Sequence, residues 1–144
     1  MNPIIIQDYD PGWPELFETL RLRIASALDG IVDAIEHVGS TVVPGLAAKP
    51  IIDMDALLAS GSDLPLAVAR LASIGYAHEG DLGIPGREAF RSRPADYPHH
   101  LYVCHPNSPA YSGHIAFRDY LRKHEKEAAA YAELKRQFGP QVQA

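Results

Sequence analysis

Two aspartates one residue apart, Asp53 and Asp55, interrupt the apolar run IIDMDALL at residues 51–58. A Gly-Ser pair, Gly39-Ser40, precedes Asp53 by an interval of twelve residues. If the run is a strand, alternation puts both acids on one face with Ile51 and Leu57, and Ile52, Met54 and Ala56 on the other. Apolar residues on both faces belong to a strand inside a sheet. Two carboxylates about 7 Å apart there repel each other and lose hydration, so both pKa values rise unless a cation lies between them. Magnesium, or manganese in its place, answers that need, because it takes oxygen ligands from one or two carboxylates and leaves room for water and phosphate.

The Gly-Ser pair supplies a complementary feature. Glycine lets the backbone approach a ligand, and successive amide N–H groups in such a turn form a nest for anions. A helical turn opening at Thr41 would add its dipole. Lys49 stands just before the aspartate strand and can meet a phosphate as a point charge. Arg87, after Gly86, has the same potential. Alone, Asp-x-Asp reads as a solvated strand face and Gly-Ser as a turn. Together they outline phosphoryl transfer, which is mostly positioning and charge neutralisation.

Other residues carry weaker signals. His99, His100, Cys104, His105 and His114 cluster in sequence, but their spacings match no familiar zinc pattern. Cys104 reads as a small core residue. His37 reads equally as a pocket residue or a polar group at a strand mouth. Arg118 and Lys123 belong to a charged helical stretch whose plain reading is a solvated face.

These residues need a scaffold. A chain of 144 residues is expected to form one domain, 1–144, of ordinary globular composition: 47% hydrophobic and 22% charged. The formal net charge of −5 argues against long nucleic acid as a partner. One cysteine suits a reducing compartment, and the short Ile4-Ile5-Ile6 run is not a signal peptide. No segment is long and apolar enough to span a bilayer, so a cytoplasmic, membrane-free protein is expected.

Leu16, Leu20, Ile24 and Leu28 recur at spacing four and predict a helix over 14–28, ended by Gly30. Alternation predicts a strand over 31–38 with Val32, Ala34 and Val38 on one face. A punctuated turn follows over 39–49, then a strand over 50–58. A helix over 64–74 would be capped by Asp63 and stopped by Gly75. Short strands are expected at 76–79, 87–92 and 100–104. A helical pattern runs over 112–138, with Gly139-Pro140 as its stop. This order suggests an α+β or α/β sheet covered mainly on one side.

Gly39-Ser40, twelve residues, then Asp53-Met54-Asp55-Ala56 resembles the hG[GS]…Dh[DE]h signature of the nucleotidyltransferase superfamily. The longer string HVGSTVVPGLAAKPIIDMD, with GIPGREAF, HHLYV and FRDYLRKH…YAELK, resembles the GrpB family of predicted nucleotidyltransferases over roughly residues 8–138. The resemblance implies an α+β fold, a small mixed sheet flanked by helices with further helices at the C-terminus. It implies a metal on Asp53 and Asp55, and a nucleoside triphosphate whose phosphates meet Gly39 and Ser40; the residues themselves add Thr41, Lys49 and Arg87 to the expected nucleotide-binding set. The acceptor is unknown.

Working members of the superfamily usually add a third carboxylate from a neighbouring strand. HHLYVC, the strand expected there, has none, and His100 stands as the candidate base. Glu88 and Asp96 are the acids nearest in sequence, Glu88 the better placed. Two expectations follow. One is magnesium-dependent nucleotidyl transfer with Asp53, Asp55 and His100 as catalytic residues. The other is a nucleotide-binding or accessory module of the same fold; by resemblance, such domains occur fused to dephospho-coenzyme A kinase.

Overall fold

The computed structural model describes residues 6–138. Ile4 and Ile5 of the N-terminal run, and the Gly139-Pro140 stop, lie outside the described residues. The helix α1 (Trp13–Ala27) has Pro14 in its first turn, where the missing N–H costs nothing. Its stripe buries Leu20 and Ile24, with Leu28 just beyond the end. Strands β1 (Val32–Val38) and β2 (Ile52–Leu58) follow, with a 3₁₀ turn at Ser40–Val42 between them. Helix α2 (Leu64–Ala72), strands β3 (Ala77–Gly80), β4 (Arg87–Arg91) and β5 (His99–Cys104), and helices α3 (Pro109–Lys123) and α4 (Glu125–Phe138) complete the order.

The five strands form one sheet in the order β1-β2-β5-β4-β3. β2 runs parallel to β5, and the other pairs are antiparallel. The aspartate strand therefore has a partner on each side, as its two apolar flanks require. Met54, Ala56, Leu101, Val103 and Phe90 point to one face and pack with Trp13, Ile24, Ala67 and Leu71 of α1 and α2. The opposite face carries Asp53 and Asp55, and α3 crosses part of it.

The elements differ from expectation in four places. A bulge between Val32 and Ala34 pairs Val32 with Leu58 but Ala34 with Leu57. An extra residue in one strand reverses the alternation. Ala34 and Val38 thus share a face with Asp53, and Val32 does not. Asp63 makes no side-chain cap on α2; the cap in that corner is Ser60, whose Oγ accepts from Ser62 N at 3.3 Å. The C-terminal helical stretch begins early, at Pro109, because Ser108 Oγ accepts from Tyr111 N at 3.2 Å. It is also two helices, broken at His124, whose φ of −127° and ψ of 78° leave the helical region.

The loop before β5 is tied to α1 by charge. Asp96 accepts from Arg23 Nη1 and Nη2, each at 3.3 Å, and from Arg93 Nη2 at 3.2 Å. The Arg23 guanidinium, helped by Arg93, holds the Asp96 carboxyl well below its ordinary 3.8, at about 2. A carboxyl depressed in the folded state stabilises the fold above its unfolded pKa, and that contribution disappears as pH falls through the folded value. Asp96→Asn is expected to lower stability by about 1 kcal/mol at neutral pH. The gap from the parent should close between pH 4 and pH 2 in denaturant titrations. A constant gap across that window would show that the clamp acts by shape and not by charge.

Candidate functional site

On the face opposite the main core, β1, the turn after it, β2, β4, β5, α3 and α4 enclose a cavity of about 410 Å³. Such a volume suits a small-molecule ligand. Gly39, Ser40, Thr41, Lys49, Asp53, Arg87 and His100 all line it. Asp55 alone among the expected site residues lies behind the wall, fully buried. Glu88 faces the other side of the sheet, opposite Val103, where it pairs with His78 at 2.9 Å. Asp96 belongs to the α1 clamp. Neither replaces a third carboxylate.

Gly39 is fixed by the neighbouring acid. Its φ of 75° with ψ of −168° is a conformation essentially limited to glycine. A Cβ there would overlap Asp53 Oδ2. The turn that follows is steadied from below by His37, which lies on the core face of β1 and stacks on Phe17 at 4.8 Å between centroids. His37 Nε2 and Thr41 Oγ1 are joined at 2.8 Å. Burial pushes this imidazole down to about 4, so it stays neutral. His37 is a support of the turn and does not line the cavity.

Each acid on this face has a basic partner. Across the β2–β5 register Asp53 stands opposite His100, and His100 Nδ1 donates to Asp53 Oδ1 at 2.8 Å. That bond raises the His100 pKa. His114 Nδ1, from α3, donates to Asp55 Oδ2 at 2.7 Å. Burial raises the Asp55 pKa, and the His114 bond acts in the opposite sense; the same bond raises His114. Glu36 stands opposite Asp55 on β1 and accepts from Arg118 Nη1 at 2.9 Å. Arg118 also reaches the carbonyl of His37 at 3.2 Å. One helical turn separates His114 from Arg118, so a single side of α3 meets two acids that are cross-strand neighbours.

Lys49 and Arg87 form no ion pair among the described residues. The Arg87 guanidinium lies 4.2 Å from the Tyr102 ring centroid, a cation–π contact that fixes the charge without neutralising it.

Asp55 Oδ1 is buried without a hydrogen-bond partner, which a native fold rarely tolerates unless another group completes it. Asp53 lies on the same face of β2, so the two carboxylates would be the groups to hold a divalent cation such as magnesium, which commonly completes its shell with water and phosphate. Among the described residues no three His, Cys, Asp or Glu side chains converge as a metal-holding group. The histidines named for zinc point different ways: His99 Nδ1 donates to the Tyr97 carbonyl at 2.6 Å and its Nε2 meets Tyr76 at 2.7 Å. Burial pushes the Cys104 thiol up to about 12, which leaves it inert as a nucleophile.

Sequence reasoning missed Glu36, and it missed His114 as the partner of Asp55. It also overlooked Tyr102, Phe117 and Tyr131, which line the cavity. The alternation of β1 put Glu36 two residues before Val38 on the site face, and the four-residue step from His114 to Arg118 marked one helix face. Neither signal said which strand that helix would meet.

Comparison with known proteins bears on the family and the fold. A family model described as GrpB protein matches residues 3–144. UPF0157 protein YqkA of Bacillus subtilis is 36% identical over 133 residues, which cover 92% of this chain and 39% of that protein. The chain thus spans well under half of that relative. The crystal structure of conserved protein GrpB from Enterococcus faecalis matches with a TM-score of 0.84 at 34% identity, over 93% of this chain and 82% of that one. Cid1, in complex with the UTP analog UMPNPP, matches with a TM-score of 0.52 at 14% identity, over 81% of this chain and 37% of that one. The Cid1 likeness concerns the fold alone, and it agrees with the nucleotidyltransferase-like mixed sheet. No helix among the described residues is long and apolar enough to cross a membrane.

The contact between Gly39 and Asp53 can be tested directly. Gly39→Ala is expected to cost roughly 2–4 kcal/mol, from backbone strain and the forced displacement of Asp53. Asp53→Ala in the same background should recover part of that loss, so the double-mutant cycle closes with a favourable coupling. Strict additivity in thermal or denaturant unfolding would mean that the two residues do not share the space described.

Proposed function

The chain belongs to the GrpB family, and from that premise we propose that its cavity binds a nucleoside triphosphate with a divalent cation and transfers the nucleotidyl group to an acceptor hydroxyl or amine. The observation that carries this reading is the convergence of the Gly39–Thr41 turn, Lys49, Arg87, Asp53 and His100 on one cavity from four separate parts of the chain. The turn offers backbone N–H groups to phosphate oxygens. Lys49 and Arg87 supply positive charge that no acid of this face has taken. Asp53 and Asp55 would hold magnesium or manganese, which when bound neutralises phosphate charge and favours in-line displacement.

His100 is the candidate base. Its Nδ1 is committed to Asp53, which orients the ring, leaves Nε2 to take a proton and raises the pKa of the imidazole. The acceptor oxygen or nitrogen would bond to the α-phosphorus and its proton pass to His100. The bond from the α-phosphorus to the bridging oxygen would break, and pyrophosphate would leave.

A specific observation favours a second reading. Asp53 is the one carboxylate among the described residues lining the cavity, and Glu36 is held by Arg118. A module that binds nucleotide without transferring it needs no third acid.

Titration calorimetry with the four ribonucleoside triphosphates, with and without magnesium, separates these possibilities from no site at all. Magnesium-dependent binding is expected in the parent, at least tenfold weaker in Asp53→Asn and without metal dependence in Asp53→Asn/Asp55→Asn. Unchanged affinity in the double variant would remove the site from residues 39–55. Binding without pyrophosphate release across a panel of small-molecule acceptors would favour the module.

A further inference from the structure

The sheet side of the cavity carries its charged groups, beside Val38, Ile51 and Tyr102, while α3 and α4 contribute His114 and two aromatic rings, Phe117 and Tyr131. Phe117 and Tyr131 stand edge to face, with ring centroids 5.5 Å apart and planes at 75°. Behind them Val42, Val43, Leu46, Leu121 and Ala128 form a small buried cluster against which Tyr131 packs. This backing holds one ring firmly. Phe117, one turn before the buried Leu121, keeps 43% of its surface exposed. A single exposed phenylalanine needs no explanation. One that lines the same cavity as Lys49, Asp53 and Arg87 does.

From this we infer that Phe117 and Tyr131 form the subsite for the nucleobase, and that the base is held by stacking with little discrimination among the four. The inference rests on the triphosphate reading above, since it assigns the remainder of the same ligand. A triphosphate on the sheet side leaves a flat aromatic base as the part of the molecule that suits an aromatic wall. Stacking is tolerant of sequence because every base offers a π-face. Reading a base edge calls for groups that donate and accept in a fixed pattern, chiefly Asn, Gln, Asp, Glu or Arg. Among the described lining residues there is no Asn, Gln or Glu, the carboxylate of Asp53 is engaged by His100, and Arg87 is assigned to the phosphates in the reading above. His114, on the helix side, is tied to Asp55.

The test compares ATP, GTP, CTP and UTP with inorganic tripolyphosphate, all with magnesium, by calorimetry on the parent chain, Phe117→Ala and Phe117→Trp. Each triphosphate is expected to bind the parent about tenfold or more tighter than tripolyphosphate, and the four to fall within about tenfold of one another. Phe117→Ala should erase most of the nucleotide advantage and leave tripolyphosphate unchanged; Phe117→Trp should restore it. Circular dichroism melts confirm that both variants are folded. Equal losses for nucleotide and tripolyphosphate, no loss for either, or one base preferred by more than a hundredfold would each overturn the inference while leaving the triphosphate site standing. Failure of the parent to bind either ligand would overturn the triphosphate reading itself, and this assignment with it.

Discussion

The arrangement depends on the burial of Asp55. A carboxylate removed from water in the middle of a sheet is costly unless a charge or several hydrogen bonds answer it. Here the answer comes from outside the sheet, from His114 on α3. That demand fixes where α3 lies, since His114 must reach Asp55 while Arg118, one turn on, reaches Glu36 across the β1–β2 ladder. Few apolar residues help it: Leu121 is the buried residue of the helix. The helix is seated by paired charges, so the roof of the cavity is positioned by the same acid that is proposed to hold the metal.

A second constraint operates at close range. Gly39 and Asp53 occupy the ends of adjoining β1 and β2, and the carboxylate uses the space that any Cβ at residue 39 would fill. The glycine thus serves two purposes with one missing atom. It permits the conformation that starts the turn, and it lets the acid approach the amides of that turn. A phosphate held by those amides would lie beside the Asp53 carboxylate and be repelled by it. In the proposed function a cation bound by both would relieve that repulsion, which is a physical reason for the Gly-Ser and Asp-x-Asp features to occur together.

Much of this was legible in the sequence, for identifiable reasons. Period-two alternation in IIDMDALL assigned the two acids to one face, and the apolar flanks placed β2 inside the sheet; both are local properties. Gly39, Lys49, Arg87 and His100 were recognisable because their chemistry is unusual where they stand. What local pattern cannot carry is the bulge at Val32/Ala34, since an inserted residue leaves composition unchanged. The break at His124 was hidden because EAAAYAEL continues the helical pattern beyond it. The pairing of His114 with Asp55 spans 59 positions and exists only once α3 crosses the sheet. His114 drew attention as one of several histidines, when its importance lay in the helix that carries it.

The charge distribution reconciles an acidic chain with the proposed site for anions. The formal net charge is −5, yet on the site face Glu36, Asp53 and Asp55 are each matched by Arg118, His100 and His114. These pairs remove the local repulsion that three carboxylates would exert on a phosphate. Lys49 and Arg87 then remain as unmatched positive charge among the described residues of this face. Inside a partly enclosed cavity such a local excess has a longer reach than on open surface, because low-dielectric walls focus the field. Under the proposed function the same distribution would favour a compact polyanion over an extended one: the excess lies in the cavity, while a chain of net charge −5 would repel a long phosphate backbone.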